Sequence, residues 1–180
     1  MAIDTRAFRQ TVSQFVTGVT VVATEVDGEI RAMTVNAFTS VSLDPPLVLF
    51  CANKTSKIGQ LVHAAEGFSV NILRQDQQPL STYFAGVWTQ PSRPAFQFVP
   101  WDGGPRLEGC AAAVGCAMHA VVEGGDHWIV VGRVLALHHG IEPRHPLVFF
   151  GGRYGSLASA SCGLAPDLQA ASGPILSEHW

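Results

Sequence analysis

Residues 34–42 carry an unusual density of polar side chains for the end of a strand. Their sequence, Thr-Val-Asn-Ala-Phe-Thr-Ser-Val-Ser, sets hydroxyl and amide groups beside backbone N–H groups. Such groups can hydrogen-bond the polar edge or chain of a ring-containing ligand. A hydroxyl-rich edge strand that approaches a turn is the alternative interpretation. The candidate ligand contacts in this segment are Thr34, Val35, Asn36, Ala37, Ser40, Val41 and Ser42.

A second polar segment precedes apolar residues at helical spacing. Backbone N–H groups at a helix start, the positive end of the helix dipole, two hydroxyls and one ammonium would meet there, and a phosphate monoester requires such groups. The alternative is an ordinary helix N-cap beside a solvated lysine. Neither polar segment matches a glycine-rich nucleotide fingerprint. The residues of this second segment are Asn53, Lys54, Thr55 and Ser56.

A Gly-Asp-His sequence at residues 125–127 falls in a predicted hairpin turn. A histidine beside a carboxylate on a positioned loop can orient a reacting group or donate a hydrogen bond to it. The alternative is a solvent-facing His127, with Asp126 accepting hydrogen bonds from turn amides. Hydrolysis is a weak interpretation, because Ser40 and Ser42 lie outside a Gly-x-Ser-x-Gly elbow. The cysteines and histidines lack a recognised ligand spacing, so we predict no metal site.

Composition excludes several classes of protein. The 180 residues hold 11 Lys and Arg against 14 Asp and Glu, a formal net charge of −3 without a basic cluster, which excludes nucleic acid as a partner. The sequence shows neither a leader peptide nor a membrane span, and its four cysteines fit reduced thiols, so we expect a cytoplasmic protein. Charged residues make up only 14%, which favours an apolar surface covered by a second copy or a ligand.

Most of the elements that must position these residues are strands. A first helix is predicted from Asp4 or Thr5 to Gly18, with apolar residues along one face. Asp27-Gly28 predicts a tight turn between strands at 19–25 and 30–41. Further strands are predicted at 47–52, 68–73, 110–122, 128–139 and 147–150, and further helices at 58–65 and 76–85.

This pattern predicts a mainly β chain: an antiparallel sheet, closed into a small barrel, with a few peripheral short helices. Residues 86–109 are rich in proline and are predicted to be a loop. We expect one domain over residues 1–157. The remaining residues, 158–180, form an Ala-, Ser- and Gly-rich tail for which we expect partial disorder.

Taken in order, these segments resemble the flavin reductase family, the small reductases that supply reduced flavin to two-component monooxygenases. Residues 34–46 look like the most characteristic motif of that family, and residues 15–24 look like its opening motif. The likeness continues at 53–56, 68–73, 84–85, 125–127 and 152–154, so it covers about residues 6–157.

The resemblance implies a split β-barrel of the FMN-binding type, a homodimer, and a flavin groove near the subunit interface. FMN, with FAD possible, would lie along residues 34–42 and Cys51, with its phosphate end at 53–56. Phe84 and Tyr154 would border the flavin, and His127 would help to place the nicotinamide of NADH, or of NADPH. One departure is Ala37, where the family often has serine. Hydride transfer between stacked rings asks little of side chains.

Two other functions stay open at this point. An FMN oxidase of the pyridoxamine-phosphate oxidase type would use a similar barrel, and would need a basic pocket for its substrate phosphate. A flavin- or haem-binding carrier, or a barrel that only mediates assembly, would show no turnover with NADH.

Overall fold

The structure is a computed structural model that describes residues 3–140 and 145–157, so the predicted tail lies outside the described residues. It is mainly β and antiparallel, as predicted. Its helices are α1 (Thr5–Val12) and α2 (Gln78–Phe84), with a 3-10 turn at Gln75–Gln77 before α2. Its strands are β1 (Thr17–Gly18), β2 (Thr20–Val26), β3 (Glu29–Val35), β4 (Phe38–Leu43), β5 (Pro46–Asn53), β6 (Gly67–Ile72), β7 (Phe98–Val99), β8 (Arg106–Leu107), β9 (Ala112–Gly124), β10 (His127–His139), β11 (Val148–Phe150) and β12 (Arg153–Gly155).

One seven-stranded sheet dominates, with the order β3-β2-β6-β9-β10-β5-β4. Its two edge strands, β3 and β4, follow each other in sequence and are joined by Asn36 and Ala37 alone. Since three residue steps span at most about 11 Å, the sheet must curve until its edges approach at this corner. The predicted strand at 30–41 was therefore wrong as one element: the chain leaves one edge and starts the other.

The inward face of the curved sheet forms the main core. Its buried side chains come from β2, β3, β5, β6, β9 and β10, and include Val22, Val35, Phe50, Phe68, Val70, Cys116 and Val130. A second cluster lies on the outward face of β2, where α2, β8 and the residue before β11 cover the sheet; it contains Val19, Val21, Leu73, Leu80, Leu107 and Leu147. The outward-facing side chains of β5 and β10, such as Cys51 and Ile129, are only partly buried by the described chain.

Both predicted hairpin turns are confirmed. Asp27 and Gly28 have φ of 53° and 74° between β2 and β3, the positive values that a two-residue turn of this kind requires. Gly125 (φ 69°) and Asp126 join β9 to β10, whose ladder runs from His127 opposite Gly124 to His139 opposite Ala112. The second turn thereby sets His127 at the first position of β10.

The predicted helix at 58–65 was wrong, although its apolar spacing did identify buried residues. The segment forms successive turns, while Ile58 and Val62 are each 2% exposed. Gly59 explains part of this path, because a Cβ there would lie 2.0 Å from the carbonyl oxygen of Asn53. The segment therefore passes in close contact with the end of β5 at Asn53.

The first helix is capped as predicted but is shorter. The Asp4 carboxylate accepts hydrogen bonds from the backbone N–H groups of Arg6 and Ala7, both at 3.2 Å, and the helix ends at Val12 rather than at Gly18. The apolar side chains on the face of the predicted helix, Phe8, Val12, Phe15 and Val16, are all at least half exposed. Among the described residues, no helix is long and apolar enough to cross a membrane.

The predicted loop at 86–109 is held against the sheet. It contains the short β7–β8 ladder, and the fully buried Asn71 side chain accepts a hydrogen bond from the backbone N–H of Leu107 at 2.8 Å. Gly104 lies so close to β6 that a Cβ there would stand 2.7 Å from the backbone nitrogen of Ser69. This stretch therefore forms a fixed cover on the outward side of β6.

Candidate functional site

The outward face of β5 brings several predicted site residues together. Along β5, Phe50 and Ala52 point into the core, so Cys51 and Asn53 point outward. Cys51 lies opposite Ile129 of β10, and Asn53 lies opposite His127. Directly opposed residues of an antiparallel pair share a face, so Cys51, Asn53 and His127 line one surface.

Ala37 joins this surface from the other side of β5. Its carbonyl oxygen accepts a hydrogen bond from the backbone N–H of Cys51 at 3.0 Å. Both side chains are small, and burial raises the pKa of the Cys51 thiol, which keeps it neutral. With Ile129 on the far side, the result is an apolar strip without bulky side chains at its centre, in which Cys51 and Ile129 are half-buried and Ala37 is exposed.

β4 supplies a polar rim to the strip. It is an edge strand, so one side of its backbone has no strand partner within the described part of the chain. A register shift occurs between Ser40 and Ser42, which lie opposite Val48 and Leu47 and leave Val41 as the extra residue of a bulge. Free backbone groups and hydroxyls beside an apolar strip match a planar ring system with one polar edge, so the residues present fit an isoalloxazine.

The polar groups of residues 53–56 are engaged with one another. The Asn53 side-chain oxygen accepts hydrogen bonds from the Thr55 N–H at 2.9 Å and the Thr55 hydroxyl at 2.6 Å. The Ser56 hydroxyl donates to the Asn53 carbonyl at 2.7 Å and accepts from the Gly59 N–H at 3.0 Å. Because no helix follows, the predicted contribution of a helix dipole to phosphate binding is absent from the described segment.

Lys54 connects this segment to the β9–β10 hairpin. Its backbone N–H donates to the Asp126 carbonyl at 3.0 Å, and its ammonium pairs with the Glu123 carboxylate. The same ammonium lies 4.7 Å from the centroid of the Trp128 ring, in cation–π geometry. The hydrogen bond from Lys54 lowers the pKa of Glu123, so that carboxylate is charged at neutral pH.

His127 is held by its neighbour. Its Nδ1 lies 2.8 Å from a carboxylate oxygen of Asp126, and that hydrogen bond lowers the pKa of Asp126. The His127 side chain is 42% exposed, so this contact leaves part of the imidazole ring accessible. The predicted contact between a histidine and a carboxylate is therefore present in the turn.

Thr34 and Tyr154 are brought together by a residue that the sequence did not single out. The fully buried Ser81 of α2 accepts a hydrogen bond from the Thr34 hydroxyl at its carbonyl, at 2.7 Å. Its own hydroxyl lies 2.9 Å from the hydroxyl of Tyr154. The one feature of the sequence that could have identified Ser81 is its position beside Leu80, on the buried side of a short helix.

Three other predicted contacts have structural partners. The Val35 side chain is 6% exposed and belongs to the main core, so only its backbone could meet a ligand. The Asn36 amide lies 3.4 Å from the Thr17 hydroxyl. The Phe84 ring packs against Phe96, with ring centroids 4.9 Å apart. Within residues 3–140 and 145–157, no three His, Cys, Asp or Glu side chains are grouped to hold a metal ion.

A family model described as the flavin reductase like domain matches residues 12–158. The chain belongs to this family. One relative, the reductase subunit HsaB of a flavin-dependent monooxygenase from Rhodococcus jostii, is 37% identical over 186 aligned residues, covering 99% of this chain and 93% of that protein. This match extends the likeness expected from the motifs to nearly the whole length of both proteins.

Solved structures of family members agree with the fold. The native-state structure of flavin reductase PheA2 has a TM-score of 0.81 at 38% identity, covering 87% of this chain and 99% of that one. The NADH:FAD oxidoreductase SgcE6 of Streptomyces globisporus, in complex with NAD and FAD fragments, has a TM-score of 0.78 at 35% identity, covering 89% and 99%.

Proposed function

We propose that this chain is an NAD(P)H-dependent flavin reductase that supplies reduced flavin to a partner monooxygenase. The observation that carries the proposal is the apolar strip at Ala37 and Cys51, bordered by the β4 edge and by His127, in a member of the flavin reductase family. The relationship to HsaB, the reductase subunit of a monooxygenase, supports the partner.

The strip would take the flat face of the flavin, and the backbone and hydroxyls of β4 would bond its polar edge. Tyr154, fixed through Ser81, would border the ring. His127, oriented by Asp126, would bond the nicotinamide and hold it over the strip. The bound flavin supplies the hydride acceptor, so the chain needs no acid–base pair at the reacting atoms.

NADH as the reductant, and FAD as well as FMN as the flavin, are part of the proposal. The likeness to SgcE6, an NADH:FAD oxidoreductase, supports both. An oxidase that binds a substrate phosphate is less well supported, because it would need a basic pocket for that phosphate, and the 11 Lys and Arg of the sequence form no basic cluster. A carrier without turnover remains the outcome to be distinguished by assay.

We further propose a homodimer and a sheet closed as a split barrel, over one domain that ends near residue 157. The exposed apolar side chains of α1, with Phe8 57% and Val12 50% exposed, and the partly buried outward side chains of β5 and β10 support a second copy. The junction of both sheet edges at Asn36 and Ala37 supports closure. Light scattering of the purified chain tests the dimer.

The proposed activity is tested by anaerobic oxidation of NADH, followed by nicotinamide absorbance, with FMN or FAD added in turn. Rapid loss of absorbance that depends on added flavin is the expected result, and the two rates rank the flavins. NADPH in place of NADH gives the second ranking. Flavin binding without consumption of either nicotinamide would refute the reductase and leave a carrier or an oxidase.

A further inference from the structure

Residues 77–101 carry a single charged residue, Arg93, among six aromatic residues. Four of the aromatic side chains contact one another, with ring centroids between 4.9 and 5.9 Å apart. All four side chains are half-buried, so part of this aromatic surface stays open to solvent. The four residues form the aromatic patch: Tyr83, Phe84, Phe96 and Phe98.

Arg93 is held against the aromatic patch. Its guanidinium lies 5.4 Å from the centroid of the Phe96 ring, in cation–π geometry. The turn before it is closed by the Trp88 indole N–H, which donates to the Ser92 carbonyl at 2.9 Å. None of the four ion pairs within residues 3–140 and 145–157 includes Arg93. A positioned guanidinium therefore presents its N–H donors to an external anion, and its planar fork suits two oxygens of a phosphate.

The aromatic patch adjoins the proposed flavin site through α2. Phe84 lies three residues after Ser81, about 4.5 Å along the helix axis. Ser81 bonds Thr34 and Tyr154, and Ala37 of the strip follows Thr34 by three residue steps, at most about 11 Å. Three rings of the patch also pack against the same buried cluster as Tyr154, on the outward side of the sheet. A ligand that extends beyond the strip past Tyr154 and α2 therefore reaches the patch.

We propose that the aromatic patch and Arg93 bind the adenosine diphosphate half that NADH and FAD have in common. The adenine stacks on an open ring of the patch, and the Arg93 guanidinium pairs with the pyrophosphate. Planar bases stack on aromatic rings, and arginine binds phosphate through paired hydrogen bonds. Residues 77–101 contain no carboxylate that would repel the pyrophosphate. The inference rests on the proposed function and assigns the part of its ligands that does not react.

Ligand pairs with and without the adenosine half isolate this contact. NADH is compared with reduced nicotinamide mononucleotide in the oxidation assay, and FAD with FMN in fluorescence titrations. Arg93→Gln is expected to raise the KM for NADH, the Kd for FAD or both about two- to fivefold, the range of one exposed contact between charged groups. The KM for the mononucleotide, the Kd for FMN and kcat should not change. A rise with NADH alone assigns the patch to the nicotinamide dinucleotide, and a rise with FAD alone assigns it to the flavin.

Arg106→Gln is the matched control, because the Arg106 guanidinium also lies over an aromatic ring, 5.9 Å from the centroid of Trp101. Arg106 is opposite Val99 in the β7–β8 ladder, whereas Phe98 of the patch is opposite Leu107. Successive residues of a strand point to opposite faces, so Arg106 points away from the patch. This variant should leave all four ligand constants unchanged. Thermal unfolding of both variants reports any change in folding.

The inference is overturned if Arg93→Gln leaves both dinucleotides unaffected, if the mononucleotides weaken as much as the dinucleotides, or if Arg106→Gln has the same effect. Failure of the proposed function gives a different result. If the unmodified chain bound no flavin and oxidised no reduced nicotinamide, both proposals would fall together. Flavin-dependent oxidation of NADH with equal constants in the unmodified chain and in Arg93→Gln would overturn only the role of the patch.

Discussion

The hydrogen bond between Ser81 and Tyr154 gives the sharpest prediction about the site. The bond joins α2 to the three-stranded sheet of β1, β11 and β12, and Ser81 also holds Thr34 of β3 through its carbonyl. Ser81 is fully buried and cannot touch a ligand. Ser81→Ala and Tyr154→Phe each remove one hydroxyl of the same pair, without removing the tyrosine ring.

A hydrogen bond of this kind contributes about 0.5–1.5 kcal/mol to the free energy of unfolding. Each single variant is therefore expected to lose about 1 kcal/mol, a fall of roughly 2–4 °C in Tm for a chain of this size. The Ser81→Ala/Tyr154→Phe double variant should lose little more than one single variant, because only one bond is broken. The cycle would then show a coupling of about 1 kcal/mol.

Loss of the same hydrogen bond should also weaken flavin binding if Tyr154 borders the flavin ring. If the loss of about 1 kcal/mol in the anchoring of Tyr154 is carried fully into the free energy of flavin binding, the Kd for flavin rises about fivefold. The rise should be equal in both variants. Urea unfolding gives the stabilities and flavin fluorescence gives the Kd values. Thr82→Ala is the control on the same helix, because the Thr82 hydroxyl donates back to the Gln78 carbonyl of α2, at 3.1 Å.

Unequal effects would refute this reasoning. If Tyr154→Phe weakened flavin binding and Ser81→Ala did not, the tyrosine hydroxyl would bond the ligand directly. If neither variant changed the Kd while both lowered stability, Tyr154 would belong to the fold and not to the flavin site.

Three further predictions test the hairpin and the core. Replacing His127 with Asn should slow anaerobic hydride transfer without abolishing it or changing flavin affinity; a full rate in stopped flow would remove His127 from the mechanism. The His127 bond lowers the pKa of Asp126 from its ordinary 3.8, so its stabilising effect should be present near neutral pH and disappear as the pH falls through the lowered value. The difference in Tm between the unmodified chain and Asp126→Asn should therefore shrink below about pH 4, and a constant difference down to pH 3 would contradict this. Gly132→Ala would set a Cβ 2.4 Å from the Phe68 ring and should cost about 1–3 kcal/mol, seen as a lower Tm in thermal unfolding; an unchanged midpoint would show that the ring can move aside.

Local backbone chemistry made the hairpins predictable from the sequence. Asp27-Gly28 needs no tertiary context, since its residue types suit the positive φ values found there. The break at Asn36 and Ala37 was not predictable in this way, because strand-type residues flank these two positions on both sides. What ends β3 is the need for the chain to move from one sheet edge to the other, a property of the whole sheet.

Helical spacing was a better guide to burial than to helix formation. Ile58 and Val62 are buried as their spacing indicated. The side-chain oxygens of Asn53 and Ser56 nevertheless accept hydrogen bonds from the backbone N–H groups of Thr55 and Gly59, and these bonds fix turns instead of a helix. The face of α1 shows the reverse case. Phe8 and Val12 have helical spacing and lie on α1, but nothing in the described chain covers them.

For the site, the sequence identified segments and the structure explained how they meet. Asn53 and His127 are far apart in sequence and become neighbours only through the register of β5 and β10. Ser81 carried no motif, because its role depends on a tyrosine hydroxyl from a different sheet. Such partners are set by packing, which residue types alone do not specify.

Residues 34–42 form one surface only if both edge strands of the main sheet, β3 and β4, keep their positions. On the β3 side, Thr34 is fixed by the Ser81 carbonyl; on the β4 side, Ala37 is fixed by the N–H of Cys51. Only two residues separate β3 from β4, so a shift of either anchor moves the start of the ligand-binding strand. Variants of Ser81 in α2, which does not touch the strip, should therefore change flavin affinity through the β3 edge, whereas variants of the β9–β10 turn should act on the nicotinamide side.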